Sequence, residues 1–278
     1  MEVTIEFLKQ LAINIYEKIK PLLGTKEGGV KISRGVGGDI SMNIDLVAEE
    51  FLIQSLEDQQ LDILLISEEI GEKYIGNKDE ALLNNSVLIV DPIDGSNNAT
   101  RGIPYCSISI AYAKGKSIKD IVKAVVIDLN SKDLYWSEKG SGAFLNEKKI
   151  QVSQLDVSDD CFFELNLSNK NLFKYVDSFR SLLKKNYKVR VLGSSALTLC
   201  QIAKGSMEAF INLRETNRLV DVAAGFLILK EAGGEIFSLT GNKIEGGLSI
   251  YLKFPFIASN KKLVPYLKNE LCTNFEKN

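Results

Sequence analysis

The feature that most constrains the fold of this chain is a set of short apolar runs that end abruptly in acidic residues. Residues 87–90 are apolar and stop at Asp91, and residues 61–67 stop at Glu68 and Glu69. An apolar run of about four to eight residues is typical of a buried strand. Because α/β proteins place their chemistry where core strands end, we expect these acids to approach one another.

The first half of the chain has the pattern of a mixed α+β protein. Residues 3–23 repeat apolar side chains at helical spacing, and a second helix is predicted over about 45–56. Between them, residues 24–38 are rich in glycine and predict a mobile loop. Residues 107–145 contain alternating runs that indicate a large, mainly antiparallel sheet.

The second half alternates strands and helices more regularly. Strands are predicted from residue 161 onwards, one helix covers 172–184, and a terminal helix starts near Lys261. The fold class is therefore α/β (α+β) with layered sheets and helices. We expect an N-terminal half over 1–185 that carries a metal site, and a C-terminal half over 186–278 that carries a substrate loop.

Composition removes several classes of chemistry. The 278 residues include no histidine, which excludes Ser-His-Asp hydrolysis, phosphohistidine chemistry and histidine-ligated zinc. The 4 cysteines form no CxxC pair, so a thiolate metal site is not expected. A net charge of −2 offers no strong positive field for nucleic acid. Catalysis must therefore use carboxylates, hydroxyls, amino or guanidinium groups, or an oxygen-bound metal.

The chain has no pattern of a membrane protein. No apolar run reaches the length of about 18 residues that a spanning helix requires. The residues that follow Met1 lack a basic segment before an apolar stretch, so we expect no signal peptide and a cytoplasmic protein.

Five acids follow buried segments or precede an apolar helix, and they are Glu68, Glu69, Asp91, Asp94 and Asp221. If they meet, they repel one another unless a divalent cation neutralises them. Oxygen ligands without histidine or cysteine favour Mg²⁺, Ca²⁺ or Mn²⁺. Each acid also has a simpler interpretation when it is taken alone, because Asp221 can cap its helix and the others can sit in solvated turns.

The segment that follows residues 87–90 combines two functions in six residues. Its sequence is Asp91-Pro92-Ile93-Asp94-Gly95-Ser96. Gly95 allows a turn that points the amides of Gly95 and Ser96 outward, and a helix that begins there offers N–H donors to a phosphate. Two carboxylates, the Ile93 carbonyl and a phosphate cradle together predict phosphoryl transfer to water.

These motifs resemble those of the inositol monophosphatase family, which belongs to a superfamily of Mg²⁺-dependent, lithium-sensitive phosphatases. The matching segments are Asp91-Pro92-Ile93-Asp94-Gly95-Ser96, Leu219-Val220-Asp221-Val222-Ala223-Ala224-Gly225, Ser67-Glu68-Glu69, Asn43-Ile44-Asp45 and Gly193-Ser194-Ser195-Ala196. The resemblance implies a layered α-β-α-β-α sandwich of the sugar phosphatase type and a homodimer.

The resemblance also implies roles for individual residues. Two or three Mg²⁺ ions, with Mn²⁺ as a substitute, would be held by Glu68, Asp91, Asp94, Asp221, the carbonyl of Ile93 and, at a third site, Asp39. Ser96, which replaces the threonine of the family, would orient the attacking water with Asp45, and Glu69 would assist as a further acid.

The substrate implied by the resemblance is a small sugar or polyol phosphate, such as inositol 1-phosphate or fructose 1,6-bisphosphate. The residues expected to contact it are Gly95, Ser96, Gly193, Ser194, Ser195, Asn212, Arg190, Arg214 and Arg218. Asn212 stands where animal members carry glutamate, which weakens specificity for inositol. Arginine suits bidentate contact with a phosphate, although these arginines can also be ordinary surface residues.

Three alternatives remain open at this point. A 3′-phosphoadenosine-5′-phosphate phosphatase belongs to the same superfamily, and a regulatory homologue could keep the fold without catalysis. A haloacid-dehalogenase phosphatase fits less well, because its two acids are separated by one residue whereas two residues separate Asp91 from Asp94.

Overall fold

The structure is a computed structural model that describes residues 3–36, 40–166 and 188–272, together with Lys184. Its described helices are α1 Ile5–Ile19, α2 Asn43–Asp58, α3 Lys78–Leu83, α4 Ser96–Arg101, α5 Ser195–Ala203, α6 Ala223–Glu231 and α7 Val264–Leu267. Asp39 and all but the last residue of the helix predicted over 172–184 lie outside the described residues.

The described strands form two large sheets and one small pair. They are β1 Lys31–Arg34, β2 Ile40–Met42, β3 Ile63–Ser67, β4 Gly71–Ile75, β5 Ser86–Asp94, β6 Ser107–Lys114, β7 Ile121–Asp128, β8 Leu134–Glu138, β9 Gly142–Leu145, β10 Lys148–Ile150, β11 Phe163–Asn166, β12 Val189–Arg190, β13 Ala209–Asn212, β14 Glu235–Phe237 and β15 Phe256–Ser259.

The first sheet has 8 strands in the order β10-β9-β8-β7-β6-β5-β3-β4. Only β3 and β5 among these neighbours run parallel, which confirms the prediction of a mainly antiparallel sheet. The second sheet has 5 strands in the order β12-β11-β13-β15-β14, and β1 pairs with β2. The division between the two large sheets falls between Ile150 and Phe163, ahead of the boundary expected at residue 185. The division into two domains stays a prediction.

Alternation along the strands of the first sheet separates two hydrophobic cores. Leu88 and Val90 of β5 pack with α1 and α2 on one face. Val87 and Ile89 point to the other face, where they pack with α5, α6 and the inner face of the second sheet. Leu267 of α7 packs on the outer face of that second sheet. The layers therefore run α-β-α-β-α, as the resemblance implied.

The two central helices pack closely at one glycine. A Cβ added at Gly225 of α6 would lie 2.6 Å from Cδ1 of Leu199 in α5. Any larger residue would push the two helices apart and move the chain on either side of them. The glycine of the Asp221 motif is therefore explained by helix packing, which in turn holds the segment that carries Asp221.

The predicted mobile loop is wrong in part of its extent. Lys31–Arg34, within the predicted mobile loop, forms β1 and pairs with β2. Its aliphatic residue, Ile32, is 52% exposed, and a single apolar position among polar residues gave no strand signal. The predicted terminal helix begins at Val264, close to the start expected near Lys261, with Pro265 in its first turn, and it continues as a π-helical segment over Lys268–Cys272. No described helix is both long and apolar enough to cross a bilayer.

Candidate active site

Parallel pairing of β3 and β5 brings the first acids together. Ser67 of β3 lies opposite Val90 of β5, so Glu68, which follows the end of β3, comes next to Asp91, which is still paired with Ser109 of β6. Asp221 joins them from the turn before α6. One carboxylate oxygen from each of Glu68, Asp91 and Asp221 lies within 4.8 Å of the others. These three acids are far apart in the sequence but form one cluster in the fold, and their carboxylate oxygens could bind a cation.

A cavity of about 360 Å³ opens over this cluster. Its lining residues are Lys31, Ile40, Met42, Asp45, Glu68, Glu69, Asp91, Ile93, Asp94, Gly95, Ser96, Asn97, Gly193, Ser195, Arg214, Arg218 and Asp221. Most of the described residues that were predicted for the site therefore share one cavity.

A larger cavity of about 750 Å³ shares no lining residue with this one. Its wall mixes apolar side chains such as Phe226 with lysines and two separate glutamates. No cluster of acids lies there among the described residues. We therefore place the candidate active site in the smaller cavity, because it contains the cluster of acids and the larger one does not.

Asp94 joins the first sheet to α5, one of the two helices in the central layer. Its Oδ2 accepts a hydrogen bond of 2.7 Å from the Ser194 hydroxyl and one of 2.6 Å from the Ala196 amide. The carboxylate thus sits at the start of α5, where the helix dipole favours negative charge. Burial and the charge of Asp221 nevertheless raise the pKa of Asp94 to about 7, against the effect of these hydrogen bonds.

Asp45 and Ser96 form a second polar group on the cavity wall. The Ser96 Oγ lies 2.7 Å from Asp45 Oδ1 and 3.0 Å from the Ile93 carbonyl oxygen. The other oxygen of Asp45 accepts from the Met42 amide at 2.8 Å, which fixes its orientation at the start of α2. Burial raises the pKa of Asp45 to about 6, although both hydrogen bonds act to lower it.

The turn between β5 and α4 needs glycine. Gly95 has φ of 98°, in the left-handed region, and a Cβ there would lie 3.0 Å from the Gly193 carbonyl oxygen. The two glycine turns therefore touch. This contact sets Ser96 beside the loop that carries Gly193 and Ser195 on the same cavity wall.

Arg218 lies within the acid cluster rather than at the outer rim. Its Nη2 donates to Glu68 Oε1 at 2.6 Å, and its Nε lies 3.3 Å from Asp221 Oδ1. Burial raises the pKa of Glu68 to about 8; the Arg218 charge opposes this shift, and Asp221 adds to it. Burial and the surrounding acids also hold the pKa of Asp91 well above its ordinary value.

Glu69 is oriented by the β1–β2 hairpin. The Ser41 hydroxyl donates to Glu69 Oε2, and the Val36 amide donates to the Glu69 carbonyl at 3.1 Å. A Cβ at Gly35 would lie 2.5 Å from the same Glu69 oxygen, so a larger residue would displace it. The glycine-rich segment therefore approaches the acid cluster closely.

Three residues predicted to contact substrate do not line the cavity. Ser194 is buried and donates to Asp94 instead. The fully buried Asn212 donates to Asn217 at 2.9 Å and accepts from the Arg214 amide at 3.1 Å. Arg190 is exposed and lies over the Phe162 ring at 5.0 Å. Gly193, Ser195, Arg214 and Arg218 do reach the wall.

The structure adds supporting residues that the sequence analysis missed. Glu164 is fully buried on β11 and accepts from the Leu192 amide at 3.2 Å and from the Thr198 hydroxyl. Asn98 donates to the Leu192 carbonyl at 2.7 Å. Both residues hold the loop that carries Gly193. An acid inside an apolar strand pattern was the one available signal for Glu164.

Comparisons with known proteins agree with this geometry. The family model described as "Inositol monophosphatase family" matches residues 1–277. The chain is 35% identical over 268 residues to the fructose-1,6-bisphosphatase/inositol-1-monophosphatase of Methanothermobacter thermautotrophicus, covering 93% of this chain and 94% of that protein. It is 34% identical to a bifunctional NADP phosphatase/NAD kinase of Methanococcus maripaludis, of which the match spans only 47%.

Solved structures show the same fold. The crystal structure of an inositol monophosphatase-fructose 1,6-bisphosphatase matches with a TM-score of 0.84 and 26% identity, covering 97% of this chain and 100% of that one. The Thermotoga maritima IMPase matches with a TM-score of 0.78 and 25% identity, covering 98% of both chains.

Proposed function

The chain belongs to the inositol monophosphatase family, and on that premise we propose that it is a Mg²⁺-dependent hydrolase of small sugar or polyol phosphate monoesters. One observation carries the proposal. The oxygens of Glu68, Asp91 and Asp221 lie within 4.8 Å of one another, in the cavity that the Asp45–Ser96 pair also lines. A cation site and a polar group able to orient water therefore face the same space.

The donor set fits a hard divalent cation. All of its side-chain donors are carboxylates, which Mg²⁺ and Mn²⁺ prefer, and burial makes their shared negative charge costly without a cation. The residues that would hold two or three ions are Glu68, Asp91, Asp94, Asp221 and the Ile93 carbonyl, with Asp39 as the proposed ligand outside the described residues. When bound, the metal supplies a Lewis acid that stabilises negative charge on phosphoryl oxygens.

The remaining steps belong to the chain itself. Ser96 orients the attacking water, and Asp45 receives its proton through the 2.7 Å hydrogen bond between them. A pKa of about 6 suits Asp45 to this task near neutral pH. Glu69 assists from the neighbouring turn, where Ser41 holds its carboxylate. The amides of Gly95 and Ser96 contact the phosphate.

Positive side chains on the wall suit an anionic substrate. Lys31 and Arg214 line the cavity together with Gly193 and Ser195. The volume of about 360 Å³ matches a small substrate. The names of the archaeal relatives support inositol 1-phosphate and fructose 1,6-bisphosphate as substrates. We do not place Asn212 or Arg190 in direct contact with the substrate, because neither lines this cavity.

A second candidate substrate is NADP, which the name of the Methanococcus maripaludis relative supports. A panel of inositol 1-phosphate, fructose 1,6-bisphosphate, NADP and adenosine 3′,5′-bisphosphate, each assayed for phosphate release with Mg²⁺, separates these proposals. The proposal predicts the highest kcat/KM on one of the first two. Faster release from either nucleotide would replace the substrate class, and no release from any would overturn the proposal.

We further propose that the protein is a cytoplasmic homodimer. The described cysteines are all free and buried, which suits a reducing compartment. Ile103 is 46% exposed and Val191 74% exposed, on two segments that Asn98 ties together, and they offer apolar surface to a second copy. Light scattering of the purified protein tests the dimer, and a monomeric mass would contradict it.

A further inference from the structure

Arg218 has an unusual position for a residue expected to bind substrate. Its side chain is 8% exposed, and its guanidinium lies between Glu68 and Asp221, two of the residues proposed as metal ligands. The Arg218 backbone amide also donates to Asp221 Oδ2 at 3.1 Å. Because this last contact uses the main chain, it survives any replacement of the Arg218 side chain.

The guanidinium places a positive charge within the cluster. It makes ion pairs with two acids at once, through Nη2 to Glu68 and through Nε to Asp221. Arg214 lines the same cavity, but within the described ranges it makes no ion pair with these acids. The two arginines therefore carry the same charge in one cavity, and only Arg218 makes a direct ion pair with the cluster.

We propose that Arg218 is a built-in counter-cation that a divalent metal must displace from Glu68, so that this side chain weakens and thereby sets the metal affinity of the site. The inference rests on the proposed function, which requires metal at these acids. The guanidinium lies 2.6 Å from Glu68 Oε1 and so donates to an oxygen that the metal would use as a ligand. Its positive charge also repels a metal cation nearby. The opposite role, in which Arg218 orients the ligands for the metal, predicts the opposite change on its removal.

The test is Mg²⁺ titration by calorimetry of protein freed of metal with EDTA. Arg218→Met keeps the length of the side chain and removes its charge, and we expect it to bind Mg²⁺ at least ~10-fold more tightly than wild type. Arg218→Gln provides a second neutral variant in case the first does not fold. Arg218→Lys retains the charge and should bind more weakly than either neutral variant.

Arg214→Met is the matched control, because it removes the same charge from the same cavity without breaking an ion pair to the acids. We expect its Mg²⁺ affinity to change by less than about threefold. Circular dichroism confirms that each variant is folded. The rise in unfolding temperature on adding Mg²⁺ should be larger in Arg218→Met than in wild type, which gives a second readout that is independent of turnover.

Two failures can be told apart. If wild-type protein takes up no Mg²⁺, the proposed function itself fails. If wild type binds Mg²⁺ but the neutral Arg218 variants bind it equally or more weakly, the counter-cation inference is overturned and the proposed function stands. Equal tightening in Arg214→Met would also overturn it, because the effect would then come from general charge in the cavity.

Discussion

Asp94 accepts a 2.7 Å hydrogen bond from the hydroxyl of Ser194, a residue 100 positions later in the chain. The bond joins the end of β5 to the start of α5, and so connects the acid cluster to the loop that carries Gly193. Through this contact the acids of the first sheet and the Gly193 loop are held as one unit. Disturbing either residue should therefore affect both the cluster and the loop.

Replacing Asp94 with asparagine should abolish hydrolysis while the fold persists. Asn keeps the size of the side chain, but it removes a charge that the metal site needs, so we expect kcat to fall by at least ~10³. Phosphate release measures the loss, and circular dichroism with a thermal melt measures the fold. Near-normal turnover of Asp94→Asn would show that Asp94 does not take part.

The hydroxyl group of Ser96 is expected to be the part of the side chain that matters for catalysis. Ser96→Ala removes the atom that lies 2.7 Å from Asp45, and kcat should fall by about 10²–10⁴. Ser96→Thr keeps the oxygen and matches the residue usual in the family, so it should retain most of the activity. If the alanine variant hydrolyses as fast as the threonine variant, Ser96 has no role in orienting water.

Without metal, stability should fall as the pH rises. The folded-state pKa is raised from 4.5 to about 8 for Glu68 and from 3.8 to about 7 for Asp94. At a pH between the ordinary pKa and the raised pKa of each group, the folded protein keeps a proton that the unfolded chain has lost. Raising the pH through this window therefore lowers the free energy of unfolding.

Thermal melts in EDTA test this dependence. The unfolding temperature should be at least about 3 °C lower at pH 8 than at pH 5, and saturating Mg²⁺ should reduce or reverse the difference because it favours the ionised carboxylates. Asp94→Asn should show a smaller dependence, since it lacks one of the titrating groups. An unfolding temperature in EDTA that rises from pH 5 to pH 8 would contradict the account.

Glu164 should act as a positioning residue for the substrate loop. Glu164→Gln replaces an acceptor with an amide and weakens the contacts to the Leu192 amide and the Thr198 hydroxyl, which should cost about 1–3 kcal/mol of stability. KM should rise more than kcat falls, because the loop lines the cavity but holds no metal. Thr198→Val, which removes only one of these partners, should have a smaller effect, and an unchanged KM in both would refute the role.

The sequence predicts those site residues that are marked by a pattern in their own segment. Glu68, Asp91 and Asp94 could be predicted because Glu68 follows the apolar run of β3 and the two aspartates follow the apolar run of β5, and these two strands are neighbours. Asp45 was identified through a family motif rather than through any property of its own segment. The sequence did not distinguish two adjacent serines, of which Ser195 lines the cavity and Ser194 donates to Asp94.

The remaining features depend on pairings between distant segments. The burial of Asn212 and the ion pairs of Arg218 follow from how β13 and the turn before α6 pack, which no single segment specifies. Glu164 carries a signal only as an acid in an apolar strand, and its partners, Leu192 in a loop and Thr198 in α5, lie more than two dozen positions away in the sequence. The layers followed from the periodicity of apolar residues, whereas β1 has one aliphatic residue, Ile32, and so no alternating pattern that could reveal a strand.

The central claim is that Glu68, Asp91 and Asp221 hold a divalent cation at the catalytic cavity. Anomalous scattering from crystals soaked in Mn²⁺ tests it most directly, because the signal locates the metal itself. The account predicts a peak about 2.1–2.3 Å from carboxylate oxygens of these residues. Ordered Mn²⁺ found only elsewhere, with the three carboxylates uncoordinated, would contradict it.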